Sequence, residues 1–329
     1  MSAKQIEEII SKVKKLPTLP MVANKVNSLI QDPTCTAIKL AEVIDKDQSL
    51  TTRVLRLVNS AFYSLSAEVT NVKHAIALLG FKTISQMVLS ICVFDVFKGK
   101  YADDFDRKGF WLHSVGCAVL SKIIAEKCHY TTEDDCFTAG LLHDIGKVVL
   151  DQYLHDEMLA VLQKTREKDL SFIAAEQEVM GLNHTDIGGQ VMNNWNIPLP
   201  VSVAVKHHHQ TVDERNGSEL AQDLIVDIVR LSDVICKQEH VGYTGDTVEV
   251  KVTEDLWERL PIDGKYVEAE AASMRRIKAM FDKMIEEGTD ISLEAMEKML
   301  DEMSDGQRGS LKFQKGSSKE DLFGDQNKE

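Results

Sequence analysis

Six prolines in 329 residues, almost no period-two alternation of apolar and polar residues, no C-x-x-C pair and no run of Lys and Arg narrow the chain before any motif is read. Scarce proline and missing alternation argue against a sheet protein and predict an almost wholly helical one. The six cysteines, at 35, 92, 117, 128, 136 and 236, are scattered and mostly set among apolar residues. That fits reduced, buried thiols rather than disulfides or a zinc ribbon. No segment approaches the ~20 apolar residues that span a membrane, and the N-terminus lacks the apolar stretch of a signal peptide, so a soluble cytoplasmic protein is expected. Net charge is −14, the wrong sign for sequence-independent binding to nucleic acid or an anionic membrane.

What is present is a succession of amphipathic helices, on a chain long enough for roughly two domains. An amphipathic lead-in at 3–15 ends at Leu16-Pro17-Thr18-Leu19-Pro20. Helices are expected near 21–31, 36–46, 49–60, 71–79 and 82–98, the first halted by Asp32-Pro33. A polar, acidic seam at 101–106 separates this N-terminal helical lobe (1–100) from a second lobe (101–240). That lobe has helices near 108–128, 134–152, 154–168, 170–180, 183–195, 199–209 and 219–240. Residues 241–252 read as a loop or small hairpin. A C-terminal helical extension runs to 303, and the Gly-, Ser-, Lys- and Asp-rich tail 304–329 is expected to be disordered.

The stretch Leu141-Leu142-His143-Asp144-Ile145-Gly146-Lys147 departs from this pattern. Phe137, Leu141, Ile145 and Val148 form an apolar stripe, and His143 and Asp144 point off it, with Gly140 clearing room on their side. Thr131 or Thr132, followed by Asp134 or Asp135, predicts a capping box at the start of the helix. Other helices carry similar groups on apolar faces. His113 lies with Gly116, Cys117 and Leu120; His184 with Ile187, Val191 and Trp195; His207 and His208 with Ala204; Asp233 with Val226 and Val229. Singly, a histidine on an apolar stripe is more often a core residue with one hydrogen-bond partner, and a buried aspartate a cap or ion-pair partner. Seven inward-facing groups are hard to satisfy without a dense hydrogen-bond network or a shared cation. One or two divalent ions fit them, and mixed His/Asp ligation suits Fe, Mn, Ni or Zn better than Ca. Lys147, i+3 from Asp144, is placed either to neutralise a phosphate oxygen or as a solvated lysine at a helix end.

The order His113, His143-Asp144, Asp233 resembles the HD superfamily of metal-dependent phosphohydrolases, and His184 with His207-His208 resembles its HD-GYP phosphodiesterase branch. More of the chain is similar to the HDOD family, the HD-related output domain of bacterial signalling proteins. The matching pieces are Lys15-Leu16-Pro17-Thr18-Leu19-Pro20, Asp47-Gln48-Ser49-Leu50-Thr51, Leu55 to Tyr63, Ala75 to Gly80, Trp111-Leu112-His113-Ser114, Ala139 to Gly146 and Trp195-Asn196-Ile197-Pro198, over about 13–215. The resemblance implies an all-α protein, an N-terminal helical lobe packed on an HD-like lobe. It also implies a regulatory role exercised through a signalling partner or small nucleotide ligand. The alternative is a working phosphohydrolase acting on a phosphodiester or nucleotide, with Asp144 and Lys147 at its catalytic centre. Two departures favour regulation. No Gly-Tyr-Pro follows the histidines, Gly242-Tyr243-Thr244 lying too far on, and Gly109 stands where some relatives carry a further acidic residue. Three consecutive histidines leave the ligand pair as 207/208 or 208/209.

Overall fold

The computed structural model describes residues 19–286 except 33, 60–64, 66, 98–104, 131, 216–222 and 249–250. The lead-in at 3–15, Ser60 to Tyr63, most of the seam at 101–106, the end of the C-terminal extension and the tail lie outside the described residues. Among those described there are helices and connecting turns but no strand. No helix among them is long and apolar enough to cross a membrane.

Among the described residues, five helices build the first lobe: α1 (Met21–Ile30), α2 (Ala37–Ile44), α3 (Gln48–Asn59), α4 (Val72–Leu79) and α5 (Phe81–Val96). Their starts follow local chemistry. Thr36 accepts from the Lys39 backbone N–H and Asn71 from that of His74, each satisfying a donor that the first helical turn leaves unpaired. Gly80 joins α4 to α5 at φ 91°, a left-handed conformation that a Cβ would strain.

The second lobe is organised around α6 (Arg107–Lys127), whose residues are buried on every face from Phe110 to Ala125. Around it lie α7 (Glu133–Leu142), α8 (Ile145–Tyr153), α9 (His155–Lys168), α10 (Phe172–Met180), α11 (His184–Asn194), α12 (Leu199–His207) and α13 (Asp223–Gln238). Two further helices, α14 (Glu254–Arg259) and α15 (Gly264–Glu286), pack on this lobe. Arg230 pairs with Asp255 at 2.7 Å and Arg259 with Asp227 at 2.7 Å, fastening α14 to α13.

The lobes meet where α5 lies on α7 and α1 reaches the turn after α11. The Asn27 amide donates to Trp195 O at 2.9 Å and Asn196 O at 2.6 Å, while Phe97 packs on Trp195. Of the two residues expected to start the capping box, Thr131 lies outside the described residues, and Thr132 is the N-cap but its side chain makes no cap hydrogen bond. Asp134 and Asp135 serve the lobe contact instead, accepting from Thr83 at 2.6 Å and Lys82 at 2.6 Å. Tertiary pairing has displaced a local motif.

The helix expected over 134–152 is two helices, broken at His143-Asp144. Two close backbone approaches explain the break. A Cβ on Gly140 would sit 2.6 Å from Cys117 O on α6, and one on Gly146 would sit 2.0 Å from His184 O at the start of α11. The chain presses α7 on one helix and α8 on another, and it turns between them. Gly140 thus makes room for the α6 backbone rather than for His143. The segment 241–252 is irregular in its described residues, a loop rather than a hairpin.

Candidate metal centre

The break turns His143 and Asp144 toward α6, α11, α12 and α13, where two groups of donors converge. His113, Cys117, His143 and Asp233 form one, and Asp144, His184, His208 and His209 the other; within each, donor atoms lie within 4.8 Å of one another. His113 Nε2 is 3.0 Å from Asp233 Oδ1, and His143 Nε2 is 3.6 Å from the same oxygen. Asp144 Oδ1 lies 3.1 Å from His184 Nε2 and 3.6 Å from His208 Nε2, while its Oδ2 is 3.4 Å from His143 Nε2. The Asp144 carboxylate therefore faces both groups.

The far nitrogen of each buried ring is fixed by an acceptor. His143 Nδ1 donates to Gly140 O at 2.7 Å, His208 Nδ1 to Val205 O at 2.9 Å and His113 Nδ1 to Val241 O at 3.2 Å. His184 Nδ1 donates to the buried Glu176 carboxylate at 2.6 Å, and the His184 backbone N–H donates to its other oxygen at 3.0 Å. Donation from Nδ1 leaves the Nε2 lone pair directed inward, the tautomer and orientation a metal ligand requires.

These residues pass a test of fit for a cation. His143 Nε2, Asp144 Oδ1 and His208 Nε2 are buried without a hydrogen-bond partner. Each such atom costs about 1–3 kcal/mol, and cations held by the two donor groups would remove these penalties. Ligands at about 2.1 Å from an ion stand roughly 3.0–3.4 Å apart at the usual angles, close to the separations above. His184 Nε2 and His209 Nε2 lie 3.1 Å apart, two ring nitrogens facing each other that a shared ion would reconcile.

Electrostatics point the same way. Burial disfavours the charged forms of Asp144 and Asp233. Lys147 and His143 around the first, and Lys237 and His113 around the second, outweigh burial and hold both carboxyls well below the usual range. Burial pushes the imidazolium of His208 down to about 4, and lowers His113 and His209 as well. Burial thus favours the neutral form of all three rings. Burial acts on His143 and His184 too. The carboxylates Asp144 and Asp233 overturn it at His143, raising it to about 10, and Glu176 and Asp144 overturn it at His184. The carboxylates thus demand positive charge at the centre of the cluster.

Of the seven residues expected from the sequence as ligands, six converge. The seventh, His207, does not: it is half-buried, and its Nδ1 donates to Gln210 Oε1 at 2.6 Å outside the cluster. The pair is His208 and His209. Lys147 is not the solvated lysine at a helix end that one expectation made it. It is fully buried, donates to Asp144 Oδ2 at 2.8 Å and Thr244 O at 3.0 Å, and lies 4.8 Å from the Phe172 ring centre. At Gly109 an acidic side chain has no room, since a Cβ would lie 2.6 Å from Tyr243 Cβ and 2.3 Å from Asp106 Oδ2.

Three residues escaped sequence reasoning as parts of the site. Glu176 carried a signal, for it lies i+4 from Phe172 and i−4 from Met180 on a buried face. Lys237 lies i+4 from Asp233 and pairs with it at 2.9 Å, and with Asp246 at 3.1 Å. Cys117 was visible one turn after His113 but read as core. The loop after α13 closes the site from above. Val241 orients His113, Tyr243 N–H donates to Gly109 O at 2.8 Å, and Asp246 accepts from the Phe172 N–H at 2.6 Å.

Similar proteins share this architecture. An HDOD domain protein of unknown function from Geobacter sulfurreducens is 25% identical, with a TM-score of 0.68, over 91% of this chain and 97% of that one. A candidate signal transduction protein from Marinobacter aquaeolei VT8 is 20% identical with a TM-score of 0.68, over 91% of this chain and 66% of its own. A candidate phosphohydrolase from Shewanella amazonensis SB2B is 19% identical with a TM-score of 0.60, over 91% of this chain and 97% of that one. Among curated proteins, an uncharacterized protein of Treponema pallidum (strain Nichols) is 22% identical over 213 residues, and the chain spans only 40% of that relative's length. The HDOD domain model matches residues 16–211, more than half of the sequence. With that match and the helical architecture around the His/Asp cluster, the chain belongs to the HDOD family.

Proposed function

We propose that this chain is a cytoplasmic regulatory HDOD protein whose second lobe holds one or two divalent metal ions, and that it conveys a signalling state through a partner protein or a small nucleotide ligand. The observation that carries the metal is the set of pinned imidazoles, each anchored at Nδ1 and directing Nε2 toward Asp144 or Asp233. The ligands would be His113, His143, Asp144, His184, His208, His209 and Asp233. Regulation is favoured over turnover by enclosure. Lys147 is committed to Asp144 and to the loop at Thr244, and the residues around the donors are almost all buried. The Marinobacter relative, described as a candidate signal transduction protein, agrees with this reading. Metal analysis of the purified full chain beside a His143→Ala/Asp144→Ala variant tests it. A stoichiometric transition metal in the parent, lost in the variant, is expected; equal content in both sinks the metal centre. Native pull-down that recovers neither a specific partner nor a nucleotide counts against the regulatory role.

One observation favours the second reading, a metal-dependent phosphohydrolase. The Asp144 carboxylate faces both donor groups, and the His209 side chain keeps 19% of its surface exposed, giving one edge an outlet. Bound divalent ions would polarise phosphoryl oxygens and lower the pKa of a water. Steady release of nitrophenolate from bis(p-nitrophenyl) phosphate with added Mn or Fe, abolished by Asp144→Asn, would establish this reading; absence of turnover in the metal-loaded chain would remove it.

A further inference from the structure

Resting on the reading of the cluster as a metal centre, we infer that Cys117 is a thiolate ligand of the first donor group, which makes that half of the centre selective for a thiophilic ion. Cys117 stands one turn after His113 on α6 and is completely buried. Its Sγ is 3.4 Å from His113 Nε2, against 3.9 Å from Nδ1, so it lies toward the inward-facing nitrogen. That separation is close to what a sulfur at about 2.3 Å and a nitrogen at about 2.1 Å from one ion require at a tetrahedral angle. The buried, unpartnered Nε2 of His143 belongs to the same group, so sulfur, two ring nitrogens and Asp233 surround one point.

Charge supports the assignment. A dication held by one thiolate, one carboxylate and two neutral imidazoles is neutral in its first shell, the least costly state for a dry interior. Lys237 faces Asp233 as well, but Asp246 at 3.1 Å counters it. On ligation the Cys117 S–H bond breaks, the sulfur lone pair forms the S–metal bond and the proton passes to solvent, so no oxidant is involved. The second group offers only nitrogen and oxygen. The two halves therefore differ in kind: Cys117 selects Zn, Fe(II), Co or Ni over Mn and Mg, while the other half discriminates less.

Cys236 lies within hydrogen-bond reach of Cys117 and supplies the rival thiol. Co(II) titration into the metal-stripped full chain, followed by absorption spectroscopy, separates the cases. The parent is expected to gain visible ligand-field bands together with a near-ultraviolet sulfur-to-cobalt charge-transfer band. In Cys117→Ser the charge-transfer band is lost while the visible bands persist, and in Cys236→Ser both remain. Circular dichroism confirms that the serine variants fold, and Cys117→Ala repeats the test should serine bind weakly. Visible bands without charge transfer in the parent, or a charge-transfer band that survives Cys117→Ser or follows Cys236 instead, overturn the assignment and leave the metal centre standing. No Co(II) uptake by the parent removes both.

Discussion

Glu176→Gln perturbs the centre through a residue that supplies none of its converging donors. Both carboxylate oxygens are in use, one accepting from His184 Nδ1–H at 2.6 Å and the other from the His184 backbone N–H at 3.0 Å. Glutamine has nearly the same shape but a single acceptor oxygen, so one N–H then faces an amide NH2, donor against donor, at a fully buried site. Losing a charge-assisted bond of this kind costs about 1.5–3 kcal/mol. Loss of a partner that orients a ligating histidine weakens metal binding by about 10–100-fold, which is roughly 1.4–2.7 kcal/mol, so two routes give the same size of effect. Competition titration against a chromophoric chelator reads the affinity, and thermal unfolding with and without metal separates the causes. A purely structural role lowers Tm equally in both forms. An orienting role also narrows the gap between them, because the stabilisation a ligand confers follows the logarithm of its affinity. An unchanged gap together with an unchanged affinity would refute the idea that Glu176 aims His184 at a cation.

Other consequences are equally direct. His209→Ala is expected to cost the chain bound metal, whereas His207→Ala leaves metal content unchanged; the reverse pattern in elemental analysis would show that the register is wrong. Gly146→Ala drives a Cβ to 2.0 Å from His184 O, backbone against backbone. The two helices must separate at about 3 kcal/mol, and a Tm lowered by roughly 6–12 °C is expected in calorimetry, with a shift under a degree counting against so tight a contact. Ellman's reagent on the native chain should label Cys35 rapidly and the other five cysteines only on unfolding, since those five are buried and burial pushes the Cys92 thiol up to about 12 and Cys128 to about 11. A second fast thiol would contradict the packing of α5, α6, α7 or α13.

Helical periodicity made most of the fold legible. It put His113, His184, His208 and Asp233 on inward faces because a residue every third or fourth position shares a side, whatever lies opposite. The break at His143-Asp144 was not legible as such. It arises from two backbone contacts at distant positions, although Gly140 and Gly146 marked both of them. Nor does spacing choose among three consecutive histidines at a helix end. His208 is the C-cap residue of α12, and its ring is anchored to Val205 O, so the closing turn decides that His209 swings inward and His207 outward. Lys147 was misjudged for a related reason. A lysine near a helix end is usually solvated, whereas here Phe172 and the loop at Thr244, which carries no helical or strand period, cover it.

That loop also bears on what the centre asks for. Asp144, Asp233, Glu176 and Asp246 cluster here with only two ammonium groups, Lys147 and Lys237, set directly against them. Four carboxylates against two ammonium groups leave a deficit, and the upward shifts of His143 and His184 follow from it. On the proposed metal reading, one dication held by the second donor group balances the four carboxylates and two ammonium groups while Cys117 remains a thiol. A second dication overshoots by two charges, of which a Cys117 thiolate removes one. The remaining positive charge attracts an anion, and the partly exposed edge at His209 is where one can approach. On the proposed metal reading, one ion completes the charge balance and suits a structural role, whereas two leave a place for an anionic ligand such as a nucleotide phosphate. Counting the ions bound per chain after metal loading therefore separates a scaffolding role for this lobe from a receptor's.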